Sequence, residues 1–407
     1  MKQSPFLQLM HERGHIHQVT DESALNDLLS KQTVTAYIGF DCTGRSLHVG
    51  SLIPIMMLRR LQQCGHKPVV LMGGGTTKVG DPSGKEEGRK ILGVDEIARN
   101  KQSILTIFER FLTFGDGPSD AIMIDNADWL DGLAYIPFLR DIGKHFSVNR
   151  MLSFDSVRLR LDREQPLTFL EFNYMILQAY DFMELYKRTG CRLQMGGSDQ
   201  WGNIVNGVEL TRKKLGAEVF GLTSPLITLA NGEKMGKTAK GAIWLNEDML
   251  PAYDYWQYWR NIPDADVGRF LRLMTELPVN EIQRLEKLQG AELNDAKKIL
   301  ATEATTMARG PQAALEAQNT AQAVFETGDS GQALPKIQHP DAEISLIDAL
   351  LKLGFVASRG QARRLIDQGG ARVEDRPVKD QERRIALGAG TVKISAGKKR
   401  HGLIERS

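Results

Sequence analysis

The strongest constraint on the fold is a strand, a helix and a second strand within residues 33–72. An apolar run at 33–40 ends in small residues, a helical pattern spans 52–64, and a fully apolar run follows at 68–72. Two strands joined by a helix form the βαβ unit of a parallel sheet. Ligands of such sheets collect at the carboxyl ends of the strands. The sequence therefore predicts an α/β fold whose functional edge is formed by the loops after these strands.

The same alternation of strands and helices continues through the first half of the chain. Two short polar helices precede the first strand, on either side of Gly14. Further patterns predict helices at 95–111, 135–142, 166–183 and 199–215 and strands at 121–125 and 192–195. Together these elements predict a doubly wound, Rossmann-like parallel-sheet domain over residues 1–225.

A change of pattern after Pro225 divides the chain further. Residues 226–327 contain a basic loop and then almost only helical patterns, and residues 328–342 hold Gly and Pro and are expected to be a linker. Residues 343–407 then form a small α+β unit with a helix at 344–353 and short strands near 372 and 392–394. A chain of 407 residues is long enough for such a division into two or three domains.

Charge and cysteine usage limit the environment and the partners. The net charge of +2 gives no general affinity for polyanions, so a nucleic-acid surface must be local. Three cysteines lie far apart without a Cys-x-x-Cys pair, which favours a reducing compartment and disfavours a thiolate metal site. No apolar run has the length of a signal peptide or a membrane span. We therefore expect a cytoplasmic protein that does not associate with membranes.

The turn after the first strand is a candidate phosphate site. It opens into a helix through His48, Gly50 and Ser51, and the free amides of a helix start attract anions. A solvated turn with a surface histidine is the alternative. The loop 73–89 resembles a P-loop, but its spacing is wrong and Glu86 stands where Ser or Thr would hold magnesium.

One face of the helix at 166–183 carries three polar side chains. Tyr174, Gln178 and Asp181 are spaced i, i+4 and i+7 in an otherwise apolar segment, so they would be buried and would need partners. Asp81 with Tyr174 and Gln178 could hold an ammonium group, and Asp181 with Tyr37 could bind a hydroxyl. A solvated helix face is the alternative.

Cations in two loops suggest a polyphosphate. Lys85 and Arg89 lie in one loop, and Lys234 and Lys237 lie in another. Positioning and charge alone can stabilise phosphoryl transfer, although such lysines are commonly solvated. The sequence contains no Ser-His-Asp, Cys-His or metal-ligand constellation. Five scattered histidines are expected to be structural or on the surface: His11, His15, His17, His66 and His145.

With these residues in view, the chain resembles the class I aminoacyl-tRNA synthetases, and specifically the bacterial-type tyrosyl-tRNA synthetases, over essentially its whole length. The segment 48–51, His-Val-Gly-Ser, matches the class signature His-x-Gly-His. The segment 234–238, Lys-Met-Gly-Lys-Thr, matches the class loop Lys-Met-Ser-Lys-Ser. The resemblance implies ATP as a substrate, with Mg²⁺ accompanying it and no protein-ligated metal.

The resemblance also implies residue roles. For tyrosine, Tyr37 and Asp181 would hold the hydroxyl. The ammonium would be held by Asp81, Tyr174 and Gln178, and Gln200 would lie near the amino-acid end. For ATP, it implies Asp199 at the ribose, Gly39 and Asp41 at the adenylate, and Gly50 and Ser51 beside His48. For the leaving pyrophosphate, it implies Thr43 and His48 with the mobile cations Lys85, Arg89, Lys234 and Lys237.

Two positions depart from the family pattern. Ser51 replaces the second histidine of the signature, so its contact with the nucleotide is expected to be weaker or made through water. Ile38 stands where some members have a cysteine that touches the ribose, which removes that contact.

The tail resembles an S-four-type RNA-binding domain. The residues that match its Ser-Arg-Gly-x-Ala-Arg run are Ser358, Arg359, Gln361, Arg363 and Arg364. Such a surface binds RNA backbone and shape rather than base sequence, and a solvated basic helix is the alternative. The family implies a homodimer, with the tRNA for tyrosine contacting both subunits.

Three other functions are weighed against this one. A tryptophanyl-tRNA synthetase has the same fold, but Tyr37 with Asp181 suits a phenol and that family usually lacks the C-terminal RNA domain. A small-molecule nucleotidyltransferase with a related His-x-Gly site would not need that domain or the lysine loop. A non-enzymatic RNA-binding relative would not need all of the residues implied for tyrosine and ATP binding, which are present here.

Overall fold

The computed structural model describes residues 3–83, 92–230, 232, 235–238, 241–323, 334–388, 390–397 and 400–406, without the side chains of 237 and 238. The chain forms two compact units. The first consists of Met1–Pro251 with Tyr258–Ala308, and the second of Ala252–Gln257 with Arg309–Ser407. No helix in the described part of the chain is long and apolar enough to cross a membrane.

A six-stranded sheet is the centre of the first unit. Its strands are β1 (Gln18–Val19), β2 (Thr35–Phe40), β3 (Lys67–Met72), β4 (Ile122–Asp125), β5 (Leu193–Gly197) and β6 (Phe220–Ser224). The order is β1-β6-β5-β2-β3-β4, parallel throughout except for the edge strand β1, which pairs antiparallel with β6. From β2, the strands β3 and β4 are added on one side of the sheet. The strands β5 and β6 are added on the other side. The topological switch point, where ligands of such sheets bind, therefore lies between β2 and β5.

Helices precede, connect and follow the strands of this sheet along the chain. Those up to the last strand are α1 (Pro5–Glu12), α2 (Glu22–Lys31), α3 (Leu52–Gln63), α4 (Val94–Phe108), α5 (Ala127–Leu130), α6 (Tyr135–Asp141), α7 (Val148–Ser153), α8 (Asp155–Asp162), α9 (Phe169–Phe172), α10 (Tyr174–Thr189) and α11 (Trp201–Leu215). The short hairpin β7 (Lys237–Thr238) and β8 (Gly241–Ala242) follows. After it come α12 (Ala252–Arg260), α13 (Val267–Met274), α14 (Val279–Leu285), α15 (Leu293–Arg309) and α16 (Pro311–Gln322).

The predicted doubly wound sheet is confirmed, and three local predictions need correction. The helix expected at 166–183 is two helices, because Thr168 and Glu171 form a capping box that starts α9 and Asn173 interrupts the helix before α10. α10 then continues to Thr189, where Gly190 ends it with a φ of 67°. The helix expected from 199 starts at Trp201, after a 3-10 turn at Ser198–Gln200.

The switch point is built around buried aromatic packing. Tyr37 of β2 is fully buried and pairs in register with Gln194 of β5. Its ring meets that of Phe182 on α10 edge to face, with the centroids 5.4 Å apart. Trp129 on α5 belongs to the same apolar cluster. The polar face of α10 is thereby held against the centre of the sheet.

The second unit contains a small α+β fold. Its strands are β9 (Lys336–His339), β10 (Glu343–Ser345), β11 (Ala371–Val373), β12 (Arg376–Pro377), β13 (Arg384–Ala386), β14 (Val392–Ala396) and β15 (Arg400–Arg406). They form a five-stranded sheet ordered β12-β11-β14-β15-β9 and a β10-β13 pair. The helices α17 (Leu346–Lys352) and α18 (Arg359–Asp367) share its apolar core. Residues 336–339, assigned to the linker from the sequence, are strand β9 and pair in parallel with β15.

Candidate active site

A buried carboxylate and a buried phenol lie at the switch point. Asp181 on α10 is 2% exposed and accepts hydrogen bonds from Trp129 Nε1 at 2.7 Å and Asn126 Nδ2 at 3.0 Å. Burial raises its pKa to about 7, because the charged form loses its hydration. The hydroxyl of Tyr37 is buried and has no hydrogen-bond partner among the described residues. Burial and the nearby Asp181 charge raise the pKa of Tyr37, so its phenol keeps a proton to donate.

A ring of amides and carboxylates lies beside this pair. Gln200 donates from Nε2 to Asp81 Oδ2 at 2.8 Å. Asn203 Nδ2 donates to Gln178 Oε1 at 2.9 Å and to Gln200 Oε1 at 3.3 Å. The structure thus brings together Asp81, Gln178 and Gln200, three side chains expected at the amino-acid site, and adds Asn203 as the group that links them.

Tyr174 lies beside this ring and binds a residue whose side chain the sequence did not single out. Its hydroxyl donates to the two carboxylate oxygens of Asp41, each at 3.2 Å, and Thr76 Oγ1 donates to Asp41 Oδ1 at 2.9 Å. Burial, Asp41 and Asp81 all raise the pKa of Tyr174. Three carboxylates, Asp41, Asp81 and Asp181, therefore make this pocket attractive to a cation.

The corner after β2 differs from the open anion site expected there. His48 Nδ1 accepts from Gly50 N at 3.0 Å and caps a 3-10 turn, Val49–Ser51, that precedes α3. Ser51 N donates to the carbonyl oxygen of His48 at 2.8 Å, and the Ser51 side chain makes no capping bond to α3. The amides of this turn are therefore already paired. Gly39 and Thr43 are exposed around it, and Asp199, after β5, has its pKa raised by burial and by Asp81.

The lysine loop lies against this corner. Gly236 O accepts from Ile243 N at 3.0 Å, and Ile243 O accepts from Val49 N at 2.9 Å. Gly236 has a φ of +79°, and a Cβ there would lie 2.9 Å from Val49 Cγ2 and 3.1 Å from His48 Nδ1. The two motifs on which the family resemblance depends thus meet through backbone contacts. Lys85, Arg89, Lys234 and the side chain of Lys237 lie outside the described residues.

The five residues expected to bind RNA divide into two kinds. Ser358 Oγ accepts from Gln361 N at 3.3 Å, and Gln361 Oε1 accepts from Ala357 N at 2.8 Å, so both side chains fix the start of α18. Arg359 pairs with Asp348 at 2.6 Å. The remaining two, Arg363 and Arg364, project from α18 and are exposed.

Four functional side chains were missed from the sequence: those of Asp41, Asn126, Trp129 and Asn203. Asn126 and Trp129 directly follow β4, the same kind of strand end that identified the other loops, so their position was a usable signal. Asn203 lies one helical turn after Gln200 on α11. For Asp41, only the main chain was expected to matter, because nothing local predicts its contact with Tyr174.

The buried histidines have no place in this site. His15 is fully buried, and His66 accepts from Val34 N through Nδ1 at 3.2 Å. Within the described ranges, no group of three or more His, Cys, Asp or Glu side chains is arranged to hold a metal ion.

Comparison with known proteins identifies the class. A family model described as "tRNA synthetases class I (W and Y)" matches residues 29–326, and one described as "S4 domain" matches residues 346–389. The first model covers more than half of the chain, including the His-x-Gly corner and the lysine loop, and the chain is a class I tRNA synthetase.

Relatives narrow the class to one family. The chain is 63% identical to a tyrosine--tRNA ligase of Novosphingobium aromaticivorans, over 99% of both chains, and 63% identical to one of Rhodospirillum rubrum, over 98% of both. The chain also resembles the solved structure of a C-terminally truncated mitochondrial tyrosyl-tRNA synthetase of Aspergillus nidulans, with a TM-score of 0.70 and 29% sequence identity. The match covers 80% of this chain and 95% of that one. The chain belongs to the bacterial-type tyrosyl-tRNA synthetases.

Proposed function

We propose that this chain activates L-tyrosine with ATP, giving tyrosyl-adenylate and pyrophosphate, and then transfers tyrosine to the 3′ end of its tRNA. Family membership supports the overall reaction. The single observation that supports tyrosine as the amino acid is the buried pair of Tyr37, which lacks a partner among the described residues, and Asp181, which is already oriented by Trp129 and Asn126.

The hydroxyl of tyrosine completes that pair. It donates its proton to the Asp181 carboxylate and accepts one from Tyr37. An amino acid without the hydroxyl leaves the Tyr37 hydroxyl buried and unpaired, which costs about 1–3 kcal/mol. It also forgoes one hydrogen bond to Asp181, which keeps those from Trp129 and Asn126. The tyrosyl-tRNA synthetases as a family are the established example of this discrimination, since they reject phenylalanine without an editing step. The ammonium of tyrosine is bound by Asp81, Tyr174 and Gln178, with Gln200 beside them.

The carboxylate of bound tyrosine attacks the α-phosphate of ATP, which enters as its Mg²⁺ complex. Gly39, Asp41, Gly50, Ser51 and Asp199 line the nucleotide site. Charge accumulates on the departing pyrophosphate, where Thr43 and His48 stabilise it together with the loop cations Lys85, Arg89, Lys234 and Lys237. Alignment and charge stabilisation supply the rate enhancement, so no general base from the protein is needed.

The remaining parts of the chain serve the tRNA. We assign residues 1–225 to catalysis, 226–327 to the lysine loop and a helical tRNA-contacting domain, 328–335 to a linker, and 336–407, which begin with strand β9, to RNA binding. On the last domain, exposed Arg363 and Arg364 bind backbone phosphates. The reaction takes place in the cytoplasm, where charged tRNA is used.

We also assign a homodimer. Eight of the twelve exposed large apolar side chains in the described part of the chain fall within residues 135–170: Tyr135, Ile136, Val148, Leu152, Leu159, Leu161, Phe169 and Leu170. Exposed apolar residues concentrated in this way are typical of a protein interface. Sedimentation of the purified chain tests the assignment, and a concentration-independent monomer contradicts it.

Amino-acid-dependent exchange of pyrophosphate into ATP tests the proposed activity. We expect exchange with tyrosine and none with tryptophan or phenylalanine at equal concentration. Asp181→Ala abolishes it, whereas Asp116→Ala, a matched loss of an exposed carboxylate outside residues 135–170, leaves it unchanged. Absence of tyrosine-dependent exchange refutes the function.

The RNA-binding assignment has its own test. The double variant Arg363→Glu, Arg364→Glu keeps tyrosine-dependent exchange but charges tRNA poorly, since only the second step uses that surface. Lys31→Glu, at a cation that is 75% exposed on the first unit, is the control. Equal loss of exchange and charging contradicts the assignment.

A further inference from the structure

The stem of the lysine loop is held by a buried acid. Asp266 is 3% exposed and lies at the start of α13. Its Oδ2 accepts from the backbone amide of Ala230 at 2.7 Å, and its Oδ1 accepts from Arg269 Nη2 at 2.6 Å. The same Arg269 nitrogen donates to the carbonyl oxygen of Thr228 at 2.7 Å. One carboxylate and one guanidinium thus fix residues 228–230, four residues before Lys234.

The other end of α13 is fixed to the helix that carries the His-x-Gly corner. Arg60, on the last turn of α3, is 2% exposed and donates from Nη2 to the carbonyl oxygens of Arg272 at 2.8 Å and Leu273 at 2.9 Å. Arg13 adds bonds to the carbonyl oxygens of Thr275 at 3.0 Å and Leu277 at 2.7 Å. These guanidinium groups satisfy carbonyls that the end of a helix leaves without partners.

The two helices therefore connect the two motifs. α3 begins directly after the corner formed by His48–Ser51 and carries Arg60 on its last turn. α13 runs from the Arg60 contacts to Asp266 and the loop stem. The position of the stem relative to the corner is thus determined by charge-assisted hydrogen bonds at both ends of α13, to the buried Asp266 carboxylate at one end and from the buried Arg60 guanidinium at the other.

We propose that Asp266 is a positioning residue for the activation step. It touches neither substrate. By holding the stem at Thr228 and Ala230, it delivers the loop cations to the phosphates of ATP at the His48 corner. The inference rests on the proposed function, in which Lys234 and Lys237 stabilise the departing pyrophosphate.

The proposal predicts a selective kinetic defect. A displacement of about 1 Å in a charged group can cost roughly 100-fold in rate. We therefore expect Asp266→Ala to lower kcat of tyrosine-dependent exchange roughly 10- to 100-fold and to raise KM for ATP. The Kd for tyrosine, measured by equilibrium titration without ATP, stays unchanged, because the Asp266 bonds to Ala230 and Arg269 are separate from the Trp129 and Asn126 bonds that orient Asp181.

Two further variants separate positioning from a general loss of structure. Asp266→Asn keeps an oxygen for the Ala230 amide but loses the charge opposite Arg269, so it recovers part of the lost rate. Glu281→Ala is the matched control, because Glu281 and Arg284 form another i,i+3 pair on the next helix, at 2.6 Å, with side chains 35% and 59% exposed. We expect that control to have wild-type kinetics.

The outcomes are distinct. If Asp266→Ala does not fold, Asp266→Asn and Arg269→Gln decide the question by the same measurements. The inference is overturned if folded Asp266 variants match Glu281→Ala in exchange, or if tyrosine affinity falls in parallel with kcat. If the wild-type chain shows no tyrosine-dependent exchange at all, the proposed function fails instead.

Discussion

Gly236 provides a direct test of the contact between the lysine loop and the His-x-Gly corner. Its φ of +79° lies in the left-handed region, where a residue with a Cβ costs about 1–2 kcal/mol. A Cβ at this position would also lie 2.9 Å from Val49 Cγ2, closer than ordinary van der Waals contact, and the affected atom belongs to a buried side chain. We call the loop seated when Gly236 lies against Val49 and His48, as it does in this structure. Gly236→Ala therefore destabilises the seated loop in two ways, by backbone strain and by a steric clash with Val49.

The expected cost can be worked out from these two contributions. Backbone strain and the close contact together disfavour the seated loop by about 2 kcal/mol, which corresponds to a roughly 30-fold lower rate if the seated loop is needed for activation. Gly236→Ser, which restores the consensus residue of the class, suffers the same cost. Tyrosine-dependent exchange of pyrophosphate measures kcat and KM for ATP, and a tyrosine titration without ATP provides the reference that stays constant.

Gly232 offers a matched control within the same loop. Its φ is +82°, but a Cβ there meets no atom of the described residues within 4 Å. Gly232→Ala therefore carries the backbone strain without the contact to Val49, and its loss of rate should be clearly smaller. If both variants lose the same rate, or if Gly236→Ala is fully active, the seated loop is not the active arrangement and the reasoning is wrong.

Three further predictions concern the pocket, the corner and acid stability. Trp129→Phe removes the 2.7 Å hydrogen bond to Asp181, so KM for tyrosine in steady-state exchange should rise roughly 5- to 100-fold. KM for ATP should not change. An unchanged KM for tyrosine contradicts the role of Trp129. Ser51→Ala barely alters KM for ATP, because the serine is expected to contact the nucleotide more weakly than the histidine of the class signature and its side chain makes no capping bond to α3 whose loss would disturb the corner. A large rise in KM would show that its hydroxyl binds the nucleotide. His15 is fully buried, and burial together with the positive charges of Arg60 and Arg13 lowers its pKa. Below pH about 6.5 the unfolded state therefore binds more protons than the folded state, and the folded state loses stability as the pH falls. His15→Leu should therefore lose less Tm than the wild type between pH 7 and pH 5, and parallel curves would contradict this.

The parts of the structure that follow from local patterns were predictable. β2, β3 and α3 lie within a residue or two of their expected bounds, because their apolar runs and the glycine at 65 are strong signals. The convergence of Asp81, Tyr174, Gln178 and Gln200 follows from strand ends and helix periodicity. Their assigned contacts with tyrosine stay predictions.

The parts that depend on distant contacts were not predictable from the sequence. The Asp41 carboxylate binds Tyr174, 133 residues away, and nothing near Asp41 signals that pairing. β1 is two residues long and owes its existence to β6. The occupied amides at Gly50 and Ser51 depend on the side-chain and backbone orientation of His48, which a motif does not specify.

The N-terminal contacts also bear on the order in which the chain folds during synthesis. Arg13 and its acceptor at Thr275 are 262 residues apart, and β1 pairs with a strand that ends at Ser224. At roughly 5–20 residues per second, the ribosome takes about 13–50 s to make that interval. During this time the apolar side chains Phe6, Leu7 and Met10 of α1, which end up fully buried, lack part of their final packing. α1 is thus made long before all of its partners exist and is among the last helices to be secured, so a chaperone that acts on the nascent chain would find its apolar face accessible.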